Sequence, residues 1–201
     1  MEAETLNLLS RVLKKFKIHD PIIGVSEVTT GHINLTYKVT VFLQKENKNK
    51  SYIVQRINTN VFQDPLLIMN NIDLVCSYIR NKYPNEAPHF HHTLEGDNYY
   101  ILGSDCWRVT TYIQGICVDG EVTPEILRNV GEAFGNFQSH LADFDASLLF
   151  ETIPYFHDTR RRYKHFLFTT MKDPVGRTKE CQNEIKKLEE LKEYGLMVAE
   201  N

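Results

Sequence analysis

Apolar residues recur at Leu6, Leu9, Leu13 and Phe16, close to helical spacing, and predict an amphipathic helix from about Glu4 to Phe16. Asp20-Pro21 ends it, because the residue before a proline is pushed out of helical dihedrals. Ile22 to Thr30 then reads as a first strand. A tight turn around Gly31 follows, then a second strand, a polar hairpin loop at Glu46-Asn47-Lys48-Asn49-Lys50, and a third strand from Tyr52 towards Phe62. Asp64-Pro65 starts the next helix with a capping carboxylate and a proline at the first turn. Its apolar face is Ile68, Ile72, Val75, Cys76 and Ile79. Tyr99–Leu102 and Trp107–Ile113 form a strand pair joined by a turn that starts at Gly103, and Gln114-Gly115 ends it.

The rest of the chain is helical in pattern. Thr123-Pro124-Glu125 opens a helix that runs to about Leu141, with Ile126, Leu127, Val130, Phe134, Phe137 and Leu141 on one face. Gly131 and Gly135 sit four apart, a spacing that admits a closely packed neighbour. Asp143-Phe144-Asp145 reads as the turn that ends this helix. Asp158 or Thr159 caps another helix start, with Arg160, Arg161 and Arg162 on its solvated face. After Asp173-Pro174 and Gly176, a charged helix spans Thr178 to Tyr194 with a narrow stripe of Ile185, Leu188 and Leu191, and Gly195 is its C-cap.

Candidate chemistry clusters at the first strands. At Gly31 no side chain stands between backbone and a ligand. Arg56 interrupts an apolar run and is either a snorkelling edge residue or a cation placed for phosphate. His89, His91 and His92 lie together, but no cysteine or carboxylate near them has ligand spacing, so outward positions of a strand explain them and no metal ligands are assigned.

Composition narrows the class. The chain has 201 residues, 42% hydrophobic, with 23 Lys+Arg against 26 Asp+Glu and a net charge of -3. Such a near-balanced charge favours neither nucleic acid nor a membrane surface as partner. No apolar run is long enough to span a bilayer. Met1-Glu2-Ala3-Glu4 lacks a signal-peptide pattern, and Cys76, Cys106, Cys117 and Cys181 show no CxxC spacing, so reduced thiols in the cytoplasm are expected.

Several segments, in order, resemble the aminoglycoside phosphotransferase and choline kinase superfamily, and within it most the kinases that phosphorylate N-acetylhexosamines at the anomeric hydroxyl. They are Gly31-His32-Ile33-Asn34-Leu35-Thr36-Tyr37, Gln55-Arg56-Ile57-Asn58 with Val61-Phe62, and Met69-Asn70-Asn71-Ile72. Trp107-Arg108-Val109-Thr110-Thr111-Tyr112-Ile113 and Ile153-Pro154-Tyr155-Phe156-His157-Asp158-Thr159 complete the set.

The resemblance implies an α+β fold: a protein-kinase-like small lobe over 1–113, with an antiparallel five-stranded sheet plus helix, and an incomplete helical large lobe over 114–201. It implies ATP as phosphate donor, with Mg2+, and a sugar as acceptor. Gly31, His32, Ile33, Asn34 and Thr36 would lie at the phosphates, Arg56 would contact them, and Tyr112 and Ile113 at the hinge would border adenine. His157, Asp158 and Arg162 would lie near the acceptor. The glutamate that pairs with the strand cation in many kinases has no counterpart between Asp64 and Arg80, which leaves Asn70, Asn71 or Asp73 to orient Arg56, or no residue at all.

The superfamily's His-x-Asp-x-x-x-x-Asn loop is missing. None of the 8 histidines is followed two places later by aspartate. Asp143-Phe144-Asp145 has no such loop before it, so it is not the metal-binding motif it resembles. The chain therefore reads as a small lobe plus the first large-lobe helices, with no catalytic residue and no metal ligand of its own, inactive by itself and prone to self-association through exposed helix faces. A choline, aminoglycoside or homoserine-type kinase and a non-catalytic binding module stand as alternatives.

Overall fold

A computed structural model describes residues 3–84, 86–115, 118, 120 and 122–198. By packing, the chain forms two compact units, Met1–Thr152 and Ile153–Asn201.

The first unit has three layers. Helix α1 (Ala3–Lys15) lies on one face of a five-stranded antiparallel sheet, and helix α2 (Pro65–Lys82) lies on the other. The strands are β1 (Ile22–Glu27), β2 (Leu35–Leu43), β3 (Lys48–Arg56), β4 (Tyr100–Leu102) and β5 (Asp105–Thr111), in the order β1-β2-β3-β5-β4. Side chains alternate across a strand, so each strand serves both layers. Val39, Val41, Tyr52, Val54, Trp107 and Val109 face α1, where they bury Leu9, Val12, Leu13 and Phe16. Cys106 in the opposite phase faces α2, against Met69 and Ile57. Burial in this second layer pushes the Cys106 thiol up to about 11, which keeps it protonated and inert.

The predicted α+β class and five-stranded antiparallel sheet are therefore present. Local details differ. The hairpin between β2 and β3 is shorter than expected. Its turn closes at Asn47 (φ 49°), and β3 already begins at Lys48, paired with Leu43. Pairing continues there because the outward lysines of the ladder keep their solvent. At its other end β3 stops at Arg56. Asn58 to Phe62 form a turn closed by the Asn58 carbonyl, which accepts from the amides of Val61 and Phe62. Asp64 caps α2 as read from the sequence, accepting from the Leu66 amide at 3.0 Å.

Helix α3 (Pro124–His140) starts at its Thr123 cap as expected, but none of its residues is buried. Leu127, Val130, Phe134 and Phe137 are all exposed, and a Cβ at Gly131 or Gly135 would meet nothing within 4 Å. No neighbour among the described residues uses the glycine spacing. The last residue of α3 and the segment after it are tied to α2 and its C-cap instead. Tyr83 stacks on His140, Tyr78 meets Phe144 edge-on, and Asn71 exchanges two hydrogen bonds with the backbone of Phe150.

The second unit holds α4 (Thr159–Lys172), α5 (Gln182–Glu190) and α6 (Lys192–Val198). The single final helix expected from Thr178 to Tyr194 is broken at Leu191. Gly195 is not a C-cap. It lies inside α6, where a Cβ would press on Thr159 Cγ2 at 3.3 Å, so its smallness serves helix contact. Cys76, Cys106 and Cys181 are free thiols, while Cys117 lies outside the described residues. No helix among the described residues is long and apolar enough to cross a membrane.

Candidate functional site

The α2-side face of the sheet carries polar groups in a region otherwise built for packing. Thr36, Gln55 and Arg108 are register partners on β2, β3 and β5 and form one row across three strands. Gln55 Nε2 donates to Thr36 Oγ1 at 3.0 Å, and Arg108 Nε donates to Gln55 Oε1 at 3.0 Å. Thr36 in turn donates to the Asn34 carbonyl at 3.3 Å. The row thus runs from Arg108 to the turn that precedes β2.

That turn is held in place by reciprocal asparagines. The Asn58 amide N–H donates to Asn34 Oδ1 at 3.0 Å, and Asn58 Nδ2 donates to the Ile33 carbonyl at 3.1 Å. Asn58 Oδ1 also accepts from the Asn60 amide. Asn58, just beyond the end of β3, therefore fixes the segment before β2. Gly31 and His32 are exposed, Ile33 is 52% exposed, and a Cβ at Gly31 would meet nothing within 4 Å. Open space stands beside this glycine.

Arg56 sits in the other phase of β3, with Tyr52 and Val54. It pairs with Asp105 at 3.3 Å, both side chains being about two-fifths exposed (44% and 40%). The partner left open by the sequence is therefore Asp105 of β5 and not a residue of α2. A strand carboxylate two residues before Trp107, Arg56's register partner, takes that place because it shares Arg56's face. At the far end of β5, the Lys38 ammonium lies 3.9 Å from the centre of the Tyr112 ring. Ile113 beside it is 69% exposed.

The remaining expected site residues belong to the second unit. Asp158 is the N-cap of α4 and accepts from the Arg161 amide at 2.8 Å. Arg162 Nε donates to the Phe156 carbonyl at 2.7 Å, and Arg161 lies over the Tyr155 ring. The exposed His157 meets Phe156 edge-on. These contacts build a capped helix start with a cationic surface.

The histidine cluster lies at the β5 edge. The His91 amide donates to the Val109 carbonyl, and Phe90 bridges to Thr110. His91 is drawn inward against Tyr52 and Thr111, and burial lowers its pKa to about 4. Asp73 finds His92 at 3.3 Å. Among the described residues, no three His, Cys, Asp or Glu side chains come together as a metal site.

The architecture matches a solved enzyme structure. A spectinomycin phosphotransferase, APH(9)-Ia, determined in complex with ADP and spectinomycin, superposes with a TM-score of 0.58 at 13% sequence identity. The chain has that fold. The match covers 95% of this chain and 56% of the phosphotransferase chain. No family model matches the sequence.

Arg56 stands out in the sequence, whereas Gln55, Asn58 and Arg108 carry no role in it. Strand phase was the missing signal. Tyr52 and Val54 mark one buried face, so Arg56 falls with them and Gln55 on the opposite side.

Proposed function

We propose that this chain is the N-terminal part of an ATP-dependent small-molecule phosphotransferase, with the small lobe over 1–113 and the first large-lobe helices after it. The observation that carries the reading is the exposed Gly31 turn, fixed by Asn34 and Asn58 at the end of a sheet whose fold is that of a phosphotransferase solved with ADP. A nucleotide fits the residues present. The turn offers uncovered backbone for phosphates, and Tyr112 and the exposed Ile113 offer surface for a base. ATP supplies the transferred phosphoryl group when bound, and this chain's share is to hold and orient it. Ligands for Mg2+ belong to the part of the enzyme outside this sequence, as does the base that accepts the acceptor's proton.

For the acceptor we infer a sugar hydroxyl, the anomeric hydroxyl of an N-acetylhexosamine. Support comes from the Gln55-Arg56-Ile57-Asn58 and Phe156-His157-Asp158-Thr159 segments. His157, Asp158 and Arg162 are the acceptor-side residues in this reading. The test is phosphate transfer from ATP by the full-length enzyme to N-acetylhexosamines, spectinomycin and choline in parallel. Preference for the hexosamine is expected. Transfer to spectinomycin or choline alone would reassign the acceptor and leave the kinase reading standing. Transfer to none would remove the kinase reading.

A further inference from the structure

Kinases of the protein-kinase type carry a lysine on the third strand, aimed at the nucleotide phosphates. Here β3 presents Ile53 and Gln55 to the α2 side and no lysine. The cation in that row is Arg108 of β5. Its guanidinium is half-buried, donates to Gln55 Oε1, reaches Met69 Sδ at 3.9 Å, and lies 5.6 Å from the centre of the Phe90 ring. Among the described residues no carboxylate pairs with it.

A half-buried guanidinium with only neutral neighbours is costly to keep, since charge removed from water is ordinarily matched by an opposite charge. Burial lowers the Arg108 pKa, yet arginine stays protonated at any working pH. The charge is therefore permanent and unneutralised. Its one side-chain oxygen partner, Gln55, continues through Thr36 to the Asn34 carbonyl in the Gly31 turn. Lys38 is on the same face, but its ammonium is engaged by the Tyr112 ring, towards the other end of the strands. Arg56 is on the opposite face and already neutralised by Asp105.

We propose that Arg108, positioned by Gln55, is the cation that receives the phosphate chain of the nucleotide, in place of a third-strand lysine. This rests on the nucleotide reading above. The row connects the cation on one side with the covering turn on the other, so phosphates beneath the turn would meet both.

Binding to the 201-residue chain tests it, with ADP, adenosine and inorganic tripolyphosphate as probes in titration calorimetry. Losing one charge-assisted contact to phosphate should weaken ADP and tripolyphosphate by about tenfold or more in Arg108→Gln, and leave adenosine unchanged. Gln55→Glu provides the variant that keeps the fold. It places a carboxylate on Arg108, neutralises the charge without deleting it, and should weaken the same two probes. ADP binding unchanged in Gln55→Glu, or lost in Lys38→Gln or Arg56→Gln but not in Arg108→Gln, would overturn the assignment while the nucleotide reading stood. Tripolyphosphate binding that depends on Arg108, without any ADP or adenosine binding, would uphold the anion site and remove the nucleotide reading. No binding of any probe would remove both.

Discussion

Asn58 holds Asn34 from across the sheet. Its backbone amide donates to the Asn34 side chain while its own side chain returns a hydrogen bond to Ile33, so two bonds clamp one turn. Asn34→Ala leaves the part-buried Asn58 amide unpaired and should cost about 1–2 kcal/mol in chemical denaturation. Asn34→Asp keeps the acceptor oxygen and should cost under about 0.5 kcal/mol by the same reasoning. Hydrogen exchange of the amides around Ile33 should quicken in the alanine variant. Equal protection in both variants would mean that the clamp does not order the turn.

Gly31 separates folding from binding. Its φ is not in the left-handed region, and a Cβ there meets no atom of the chain. Gly31→Ala should therefore leave stability within about 0.5 kcal/mol of the parent, or raise it slightly by restricting the unfolded chain. If the turn covers phosphates, the same methyl group would stand in their path and ADP affinity would fall. A variant equally stable and equally able to bind ADP would show that nothing approaches this backbone closely.

These two residues also show how far the sequence could be read. The strands on either side of Gly31 were visible because alternation is a local signal, although β1 ends at Glu27 rather than Thr30 and residues 28–34 form a longer connection in place of a tight glycine turn. The capped starts of α2 and α3 were visible for the same reason: Asp64 and Thr123 each precede a proline. Arg56's partner was not visible. Asp105 is 49 positions away and comes near only because β3, paired with β2 on one side, takes β5 and not β4 on the other. The Thr36–Gln55–Arg108 row depends on the same register, and no spacing rule within one segment reports it. The break at Leu191 was likewise hidden, since the apolar stripe of Ile185 and Leu188 carries on to Leu191 without a change of spacing.

The Arg56–Asp105 pair should be weak. Both side chains are substantially exposed, and pairs of this kind contribute about 0–1 kcal/mol. A double-mutant cycle with Arg56→Gln and Asp105→Asn should give a coupling energy under about 1 kcal/mol that shrinks as salt is added. A large, salt-insensitive coupling would show that the pair is shielded from solvent.

His91 should make the first unit acid-sensitive. Burial, then the nearby His89, Lys50 and His92, hold its folded pKa at about 4, against an ordinary value of 6.5. Above 6.5 both folded and unfolded imidazoles are neutral and the group has no effect on stability. As pH falls below 6.5 the unfolded chain takes up a proton that the folded chain refuses, so stability declines until about pH 4 and then levels off. The side chain is only partly buried, and after solvent screening the loss should be about 1–2 kcal/mol. His91→Gln should flatten this part of the stability profile, measured by urea denaturation from pH 7 to pH 4. An unchanged slope would place the acid sensitivity elsewhere.

The apolar face of α3 sets the last expectation. Leu127, Val130, Phe134 and Phe137 form a stripe on one side of a helix with no buried residue. Burying a large apolar side chain contributes roughly 1.5–3 kcal/mol, so a stripe of this kind favours association wherever a matching surface is available. At high concentration the chain should self-associate, and light scattering should report a mass that rises with concentration. Phe134→Glu with Phe137→Lys should abolish that rise while leaving the sheet's circular dichroism intact, because neither side chain supports the α1–sheet core. In the phosphotransferase reading, the same stripe is where the rest of the large lobe closes on α3. The double variant in the full-length enzyme should then lose stability, with ADP affinity reduced only as far as the lobes come apart. A monomer at every concentration, together with a full-length enzyme indifferent to both substitutions, would show that the stripe is simply solvated.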